Sequence, residues 1–213
     1  MRRAPKAVFW DNDGVLVDTE PLFLQATREH LGPWGVEISE ELYVDFSMRQ
    51  GRSLFELIAE RGASEEEIVR VRAERDARYM ALIEAGVRVI EGVREALAAL
   101  SGQQPMAIVT ASGREHFERI HEPLGLLEHF DFVLASGDYA NQKPHPDPYL
   151  AAAARLGLEP RECLAIEDSE RGLQAAVAAG MPCVVVPSPL SRGGDFRAAQ
   201  RVLESVRELP GLL

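Results

Sequence analysis

Several things are scarce in this chain, and each shortage removes a class of explanation. Only two cysteines occur among 213 residues. Cys163 and Cys183 lie in separate apolar runs with no metal-ligand spacing. Buried reduced thiols in a cytoplasmic protein are the expectation, ahead of a disulfide. No apolar run approaches the ~18 residues a membrane span requires. The opening MRRAPKAVFWDND has two arginines but too short an apolar stretch for the core of a secretion signal. Positive charge is short as well, with 23 lysines and arginines against 34 acids and a net charge of −11. Duplex binding needs a concentrated basic face, so nucleic acid is a poor partner, and an anionic membrane is another. A small anion is not excluded, because a cation, a lysine and backbone amides can gather positive potential locally.

Apolar residues are plentiful at 46%, enough for one large domain with a smaller insert. The stretch around which the rest is organised is FWDNDGVLVDTE, residues 9–20. Ala7-Val8-Phe9-Trp10 reads as a buried strand that ends abruptly at Asp11, with Asp13 two residues on and Gly14 free to turn the backbone. Strand side chains alternate, so Asp11 and Asp13 can project together. Two carboxylates that close repel unless a cation sits between them or one is protonated. A hard divalent ion suits such an all-oxygen site. The plain alternative is a solvated acidic turn.

From residue 19 to 85 the pattern is helical. Pro21 suits a first helical turn, Ser39 with Glu40 and Glu41 opens a second helix, and Ser64 with Glu67 has capping-box spacing. The last of these helices runs to about residue 84 with Ile68, Val71, Met80 and Ile83 as its expected apolar stripe. Beyond residue 85, helices at 92–100, 114–124, 148–156 and 171–179 alternate with strand-like runs at 106–109, 132–134, 163–166 and 183–186. Those runs lack polar alternation, as strands covered on both faces do. The expectation is an α/β fold, a doubly wound parallel sheet. Residues 1–18 and 86–213 would form that core, and residues 19–85 an inserted α-helical cap domain.

Ligands of doubly wound sheets bind outside the carboxyl ends of the strands. The first strand ends in Asp11 and Asp13. The next ends in Thr110-Ala111-Ser112-Gly113 before a helix, either an anion site or simple capping. Lys143 opens the stiff loop Lys143-Pro144-His145-Pro146 after the third strand. The fourth ends in Glu167-Asp168-Ser169. Each is ordinary alone. Together, carboxylates, a hydroxyl with amides and an ammonium are the inventory for a metal-bound phosphoryl group. Paired acids also supply a nucleophile and a proton carrier, though sequence alone does not say which aspartate attacks.

DNDGVLVDTE, VTAS, KPHPDPY and IEDSERGLQAAVAAGM resemble, in order and spacing, the four motifs of the haloacid dehalogenase (HAD) superfamily, and the likeness covers essentially the whole chain. It is strongest to subfamily I members with a helical cap, including β-phosphoglucomutase and small-molecule phosphatases. The resemblance implies that Asp11 is a nucleophile forming an aspartyl-phosphate. It implies that Asp13 is the general acid and base, with its backbone carbonyl on Mg²⁺. Thr110 would bind the phosphoryl group with Ala111 and Ser112 beside it, and Lys143 would neutralise it and hold Asp11. Asp168 would ligate Mg²⁺, with Glu167 as ligand or outer support. Asn12 falls at a variable position.

The expected activity is a Mg²⁺-dependent phosphatase for a small phosphorylated metabolite such as a sugar phosphate, in a cytoplasmic monomer. β-Phosphoglucomutase is the alternative. Arg49 and Arg52 are candidate anchors for a distal phosphate, against a reading as solvated helix charges, and Phe23 stands where those mutases carry a histidine. A non-catalytic binding module would show a degenerate first or fourth motif, and neither is degenerate. Fold alone does not settle the choice.

Overall fold

A computed structural model describes residues 4–213; Met1-Arg2-Arg3, part of the opening weighed above as a secretion signal, lies outside the described residues. The chain divides into two compact units, Met1–Asp18 with Arg88–Leu213, and Thr19–Val87.

The first unit is built on a six-stranded sheet. Its strands are β1 (Ala7–Trp10), β4 (Met106–Gly113), β5 (Phe132–Ser136), β6 (Cys163–Glu167), β7 (Cys183–Val185) and β8 (Arg201–Val202), in the order β5-β4-β1-β6-β7-β8. Every pairing is parallel. The numbers β2 and β3 belong to a separate antiparallel ribbon, Val17–Asp18 with Arg88–Val89. β1 is therefore central. Its four residues are fully buried, which accounts for the unbroken apolar run AVFW. Ala7 and Phe9 face a layer containing Tyr149, Ala152, Leu173 and Ala176. Val8 and Trp10 point the other way, where Trp10 meets Phe130 edge-on at 6.4 Å. Both cysteines are free and buried.

The second unit contains α1 (Glu20–Leu31), α2 (Glu40–Leu42), a π-helical stretch Tyr43–Arg49, α3 (Glu56–Ala59) and α4 (Glu65–Ala85). Ser39 and Ser64 cap α2 and α4 as expected, the latter in a full capping box with Glu67. The buried stripe of α4 differs from expectation. It is Val71, Arg75, Tyr79 and Ile83, spaced by four, while Ile68 and Met80 are half-buried. Arg75 is admitted because its guanidinium lies over Phe23 at 4.3 Å and Phe55 at 5.2 Å, so aromatic faces take the place of water.

Four helices complete the first unit: α5 (Val93–Leu100), α6 (Arg114–His121), α7 (Asp147–Arg155) and α8 (Glu170–Ala178). α6 stops three residues short of the expected Leu124. Pro123 disfavours helix at the residue before it, and Gly125 adopts a left-handed φ of 64°. β4 runs beyond Val109 to Gly113 through a register shift against β5. The ribbon strands and β8 have two residues each, too few to display any periodicity. Among the described residues no helix is long and apolar enough to cross a membrane.

Candidate active site

Because β1 lies between β4 and β6, residues in or just past the C-terminal halves of these three strands converge at one sheet edge. Asp11 follows β1, Thr110 lies in β4, and Glu167 closes β6 with Asp168 next to it. Lys143 reaches them from the loop between β5 and α7. Its Nζ lies 2.8 Å from Asp11 Oδ1, 2.6 Å from Glu167 Oε1 and 2.9 Å from the Val109 carbonyl. An ammonium has three donors, and here all three are used.

Asp11, Glu167 and Asp168 are buried and offer oxygens within 4.8 Å of one another. Burial, then the charges of Glu167, Asp168 and Asp13, drives the Asp11 carboxyl well above its ordinary range, against the pull of Lys143. Burial and the Glu167 charge likewise push Asp168 up to about 7, while a Ser188 hydrogen bond opposes the rise. Burial works against the Lys143 ammonium, yet Asp11 and Glu167 outweigh it and hold its affinity for the proton above normal. One ammonium thus serves a nest of carboxylates that remains short of positive charge. Among the described residues, Glu167 Oε2 and Asp168 Oδ2 are buried without a partner. Oxygen-only donors, excess negative charge and orphaned carboxylate oxygens fit a hard divalent cation such as Mg²⁺.

Asp13 has a separate environment. It is half-buried, accepts a hydrogen bond from Ser112 Oγ at 2.7 Å and lies 3.3 Å from Thr110 Oγ1. Thr110 Oγ1 also accepts from the Ser112 amide at 3.0 Å. Ala111 is exposed between them. The two aspartates are thus held differently, Asp11 by an ammonium and Asp13 by hydroxyls.

Two glycines let the acids pack so closely. A Cβ on Gly14, whose φ is +79°, would stand 2.3 Å from Asp168 Oδ2, and one on Gly172 would stand 1.8 Å from Glu167 Oε2. Tyr149, fully buried, donates its hydroxyl to Glu167 Oε1 and places its ring 5.1 Å from Lys143 Nζ. Tyr139 donates to the Thr110 carbonyl at 2.6 Å. Ser191 donates to the Asp168 carbonyl at 2.7 Å. Of the three hydroxyl supports Tyr139, Tyr149 and Ser191, Tyr149 alone lies inside one of the four motifs, KPHPDPY.

Arg49 and Arg52 belong to the second unit. Arg52 is chelated by Glu56 at 2.9 and 2.6 Å and lies 4.0 Å over Phe46, so its charge is already engaged. Arg49 is exposed at the end of the π-helical stretch. Phe23 packs edge-on to Tyr79 at 5.3 Å and under Arg75. A cavity of about 820 Å³ lined by Lys6, Arg161 and Cys163 adjoins the opposite, N-terminal ends of β1 and β6, away from the carboxylates.

A family model of haloacid dehalogenase-like hydrolases matches residues 5–180. The chain belongs to this family. It is therefore an enzyme, a HAD-like hydrolase. Hexitol phosphatase B of Escherichia coli is 34% identical over 211 residues, 95% of this chain and 93% of that protein. A CbbY variant of Rhodobacter sphaeroides, solved with xylulose-(1,5)bisphosphate, superposes with a TM-score of 0.80 at 28% identity over 96% of both chains. β-Phosphoglucomutase of Clostridium difficile gives 0.78 at 28% identity, over 96% of this chain and 93% of that one.

Proposed function

We propose that this HAD-like hydrolase is a Mg²⁺-dependent phosphatase acting on a small phosphate monoester of a sugar or polyol through an aspartyl-phosphate. The observation that carries the reading is the contrast between Asp11, held by Lys143 in the carboxylate nest, and Asp13, held apart by Ser112 and Thr110. Such a contrast in surroundings supports giving the two acids different roles, nucleophile and proton carrier.

Asp11, whose ionised form Lys143 favours, attacks phosphorus as the bond to the alcohol oxygen breaks, and Asp13 gives that oxygen its proton. Water then attacks the aspartyl-phosphate, Asp13 takes a proton from it, and the bond between phosphorus and the Asp11 oxygen breaks to release phosphate. Lys143 holds Asp11 in line and offsets negative charge throughout. Mg²⁺ held by Asp11, Asp168 and the Asp13 carbonyl, with Glu167 as ligand or support, would supply charge neutralisation at the phosphoryl oxygens. The substrate class rests on similarity to hexitol phosphatase B and on the site's inventory. Choice among esters is assigned to the residues 19–87 unit, because the sheet edge supplies only phosphate chemistry.

Mutase activity is the second reading, favoured by the likeness to β-phosphoglucomutase. A mutase must keep water from its aspartyl-phosphate while a bisphosphate turns around. Phe23, where a histidine would stand, is committed to Tyr79 and Arg75 and offers no polar group for that task.

The test is phosphate release from a panel of sugar and polyol phosphates by the wild type and by Asp11→Asn, with and without chelator. The variant should remain folded and lose kcat. Residual activity within about tenfold of wild type, equivalent to ~1.4 kcal/mol of barrier, would make another residue the nucleophile. Conversion of β-glucose 1-phosphate to glucose 6-phosphate with little free phosphate would favour the mutase.

A further inference from the structure

The residue between the two aspartates is not a spacer. Asn12 is fully buried, and its Oδ1 lies 2.7 Å from Nε2 of His121, itself buried. The amide oxygen accepts, so the imidazole donates from Nε2. Burial pushes the His121 imidazole down to about 4, although the Asp13 charge pulls the other way, so the ring is a neutral donor. The far ends of both side chains, Asn12 Nδ2 and His121 Nδ1, find no partner among the described residues. Packing alone would favour an apolar pair here, since unmet buried polar atoms are costly.

What the pair joins gives it a purpose. The Asn12 carbonyl gathers the amides of Val15, Leu16 and Val17 at 3.3, 2.8 and 3.2 Å and so closes the turn that carries Asp13. His121 is the last residue of α6 and packs on Phe117, with ring centroids 4.4 Å apart. The residues leading into the same helix include Ser112, whose hydroxyl holds the Asp13 carboxylate. The Asp13 turn is therefore gripped from both ends of one helix.

We propose that His121 is a positioning residue for Asp13, clamping Asn12 so that the Asp13 carboxyl faces the oxygen of the leaving group. This rests on the reading of Asp13 as general acid and base.

The experiment compares kcat/KM for two esters on the full chain with Mg²⁺. p-Nitrophenyl phosphate expels a phenolate that needs no proton, whereas a hexitol phosphate expels an alkoxide that does. His121→Phe should lower kcat/KM for the hexitol ester at least about tenfold and for the aryl ester less than about threefold, because only the proton-transfer contribution is misaligned. Asn12→Leu should reproduce this pattern, and the double variant should lose little more. His121→Gln, which keeps an N–H for Asn12, should recover most of the hexitol activity. If His121→Phe does not fold, Asn12→Leu carries the comparison. Equal losses on both esters, or no loss on either, would overturn the proposal and leave His121 a packing residue. A wild type inactive on both esters would instead remove the phosphatase reading, and this inference with it.

Discussion

Lys143 holds Asp11 from a position 132 residues further along the chain, Nζ to Oδ1 at 2.8 Å, with both side chains nearly excluded from solvent. A pair so placed is difficult to break cleanly. Lys143→Met would leave Asp11 and Glu167 buried without their shared cation. Loss of one partner of a buried pair costs about 3–5 kcal/mol. We expect a lower unfolding midpoint in denaturant and kcat reduced at least about 100-fold, as when a charge-stabilising donor is lost. Near-normal turnover would show that Lys143 only holds the fold.

Magnesium should stabilise the protein, and more so at higher pH. Asp168 is raised to about 7, so the metal-free native state holds its proton more tightly than the unfolded chain does. Stability of the metal-free form therefore falls as pH rises from the ordinary carboxylate range toward 7. Mg²⁺ competes with that proton, so its gain in Tm should grow between roughly pH 5 and 8, by several degrees at saturation. Thermal scans with and without Mg²⁺ at both pH values decide it. A shift that ignores pH, or none at all, would count against the carboxylate site, and Asp168→Asn should remove the effect.

His121 makes the opposite contribution to the pH profile. Its imidazole is depressed to about 4 by burial, so the unfolded chain takes up a proton near pH 6.5 that the native state refuses. Stability should be intact above pH 6.5 and decline toward pH 4, by about 3 kcal/mol in all. His121→Phe should flatten that part of the acid limb in denaturant titrations. An unchanged slope would mean that His121 protonates without opening its pocket.

Substitution within the helical unit should change which esters are preferred without touching the metal requirement. Arg49→Ala and Arg52→Ala are the first variants to try. Arg52 is an exposed partner of Glu56, so its removal should leave the fold intact. An identical ranking across a panel of phosphate esters would retire both residues as specificity determinants.

The fold class was legible because burial on both faces writes itself into the chain as unbroken apolar runs such as AVFW and CLAI. The strand ends were legible because acids, hydroxyls and a lysine interrupt those runs abruptly. What escaped notice has a common physical origin. Tyr149, His121 and Ser191 support the acids from distant positions, and nothing local distinguishes a supporting hydroxyl or imidazole from an ordinary one. Gly14 and Gly172 matter for the space they leave, which appears only once Asp168 and Glu167 are packed against them. Arg75 lies outside any apolar stripe the sequence can show, because an isolated pattern reads arginine as exposed, whereas its aromatic neighbours arrive from α1 and the segment before α3.

The small ribbon of Val17–Asp18 and Arg88–Val89 carries an architectural consequence. Asp18 and Arg88 are directly paired across it, their side chains joined in an ion pair. The chain therefore leaves the sheet unit and re-enters it at adjacent points, as the two arms of a hairpin do. From the standpoint of the sheet, everything between those residues is a single loop whose ends are already tied. Loops closed in this way tolerate wide changes in length at small entropic cost. The helical unit is thus a module that evolution or an engineer could exchange, enlarge or trim to a tight turn without asking the catalytic scaffold to refold around the change.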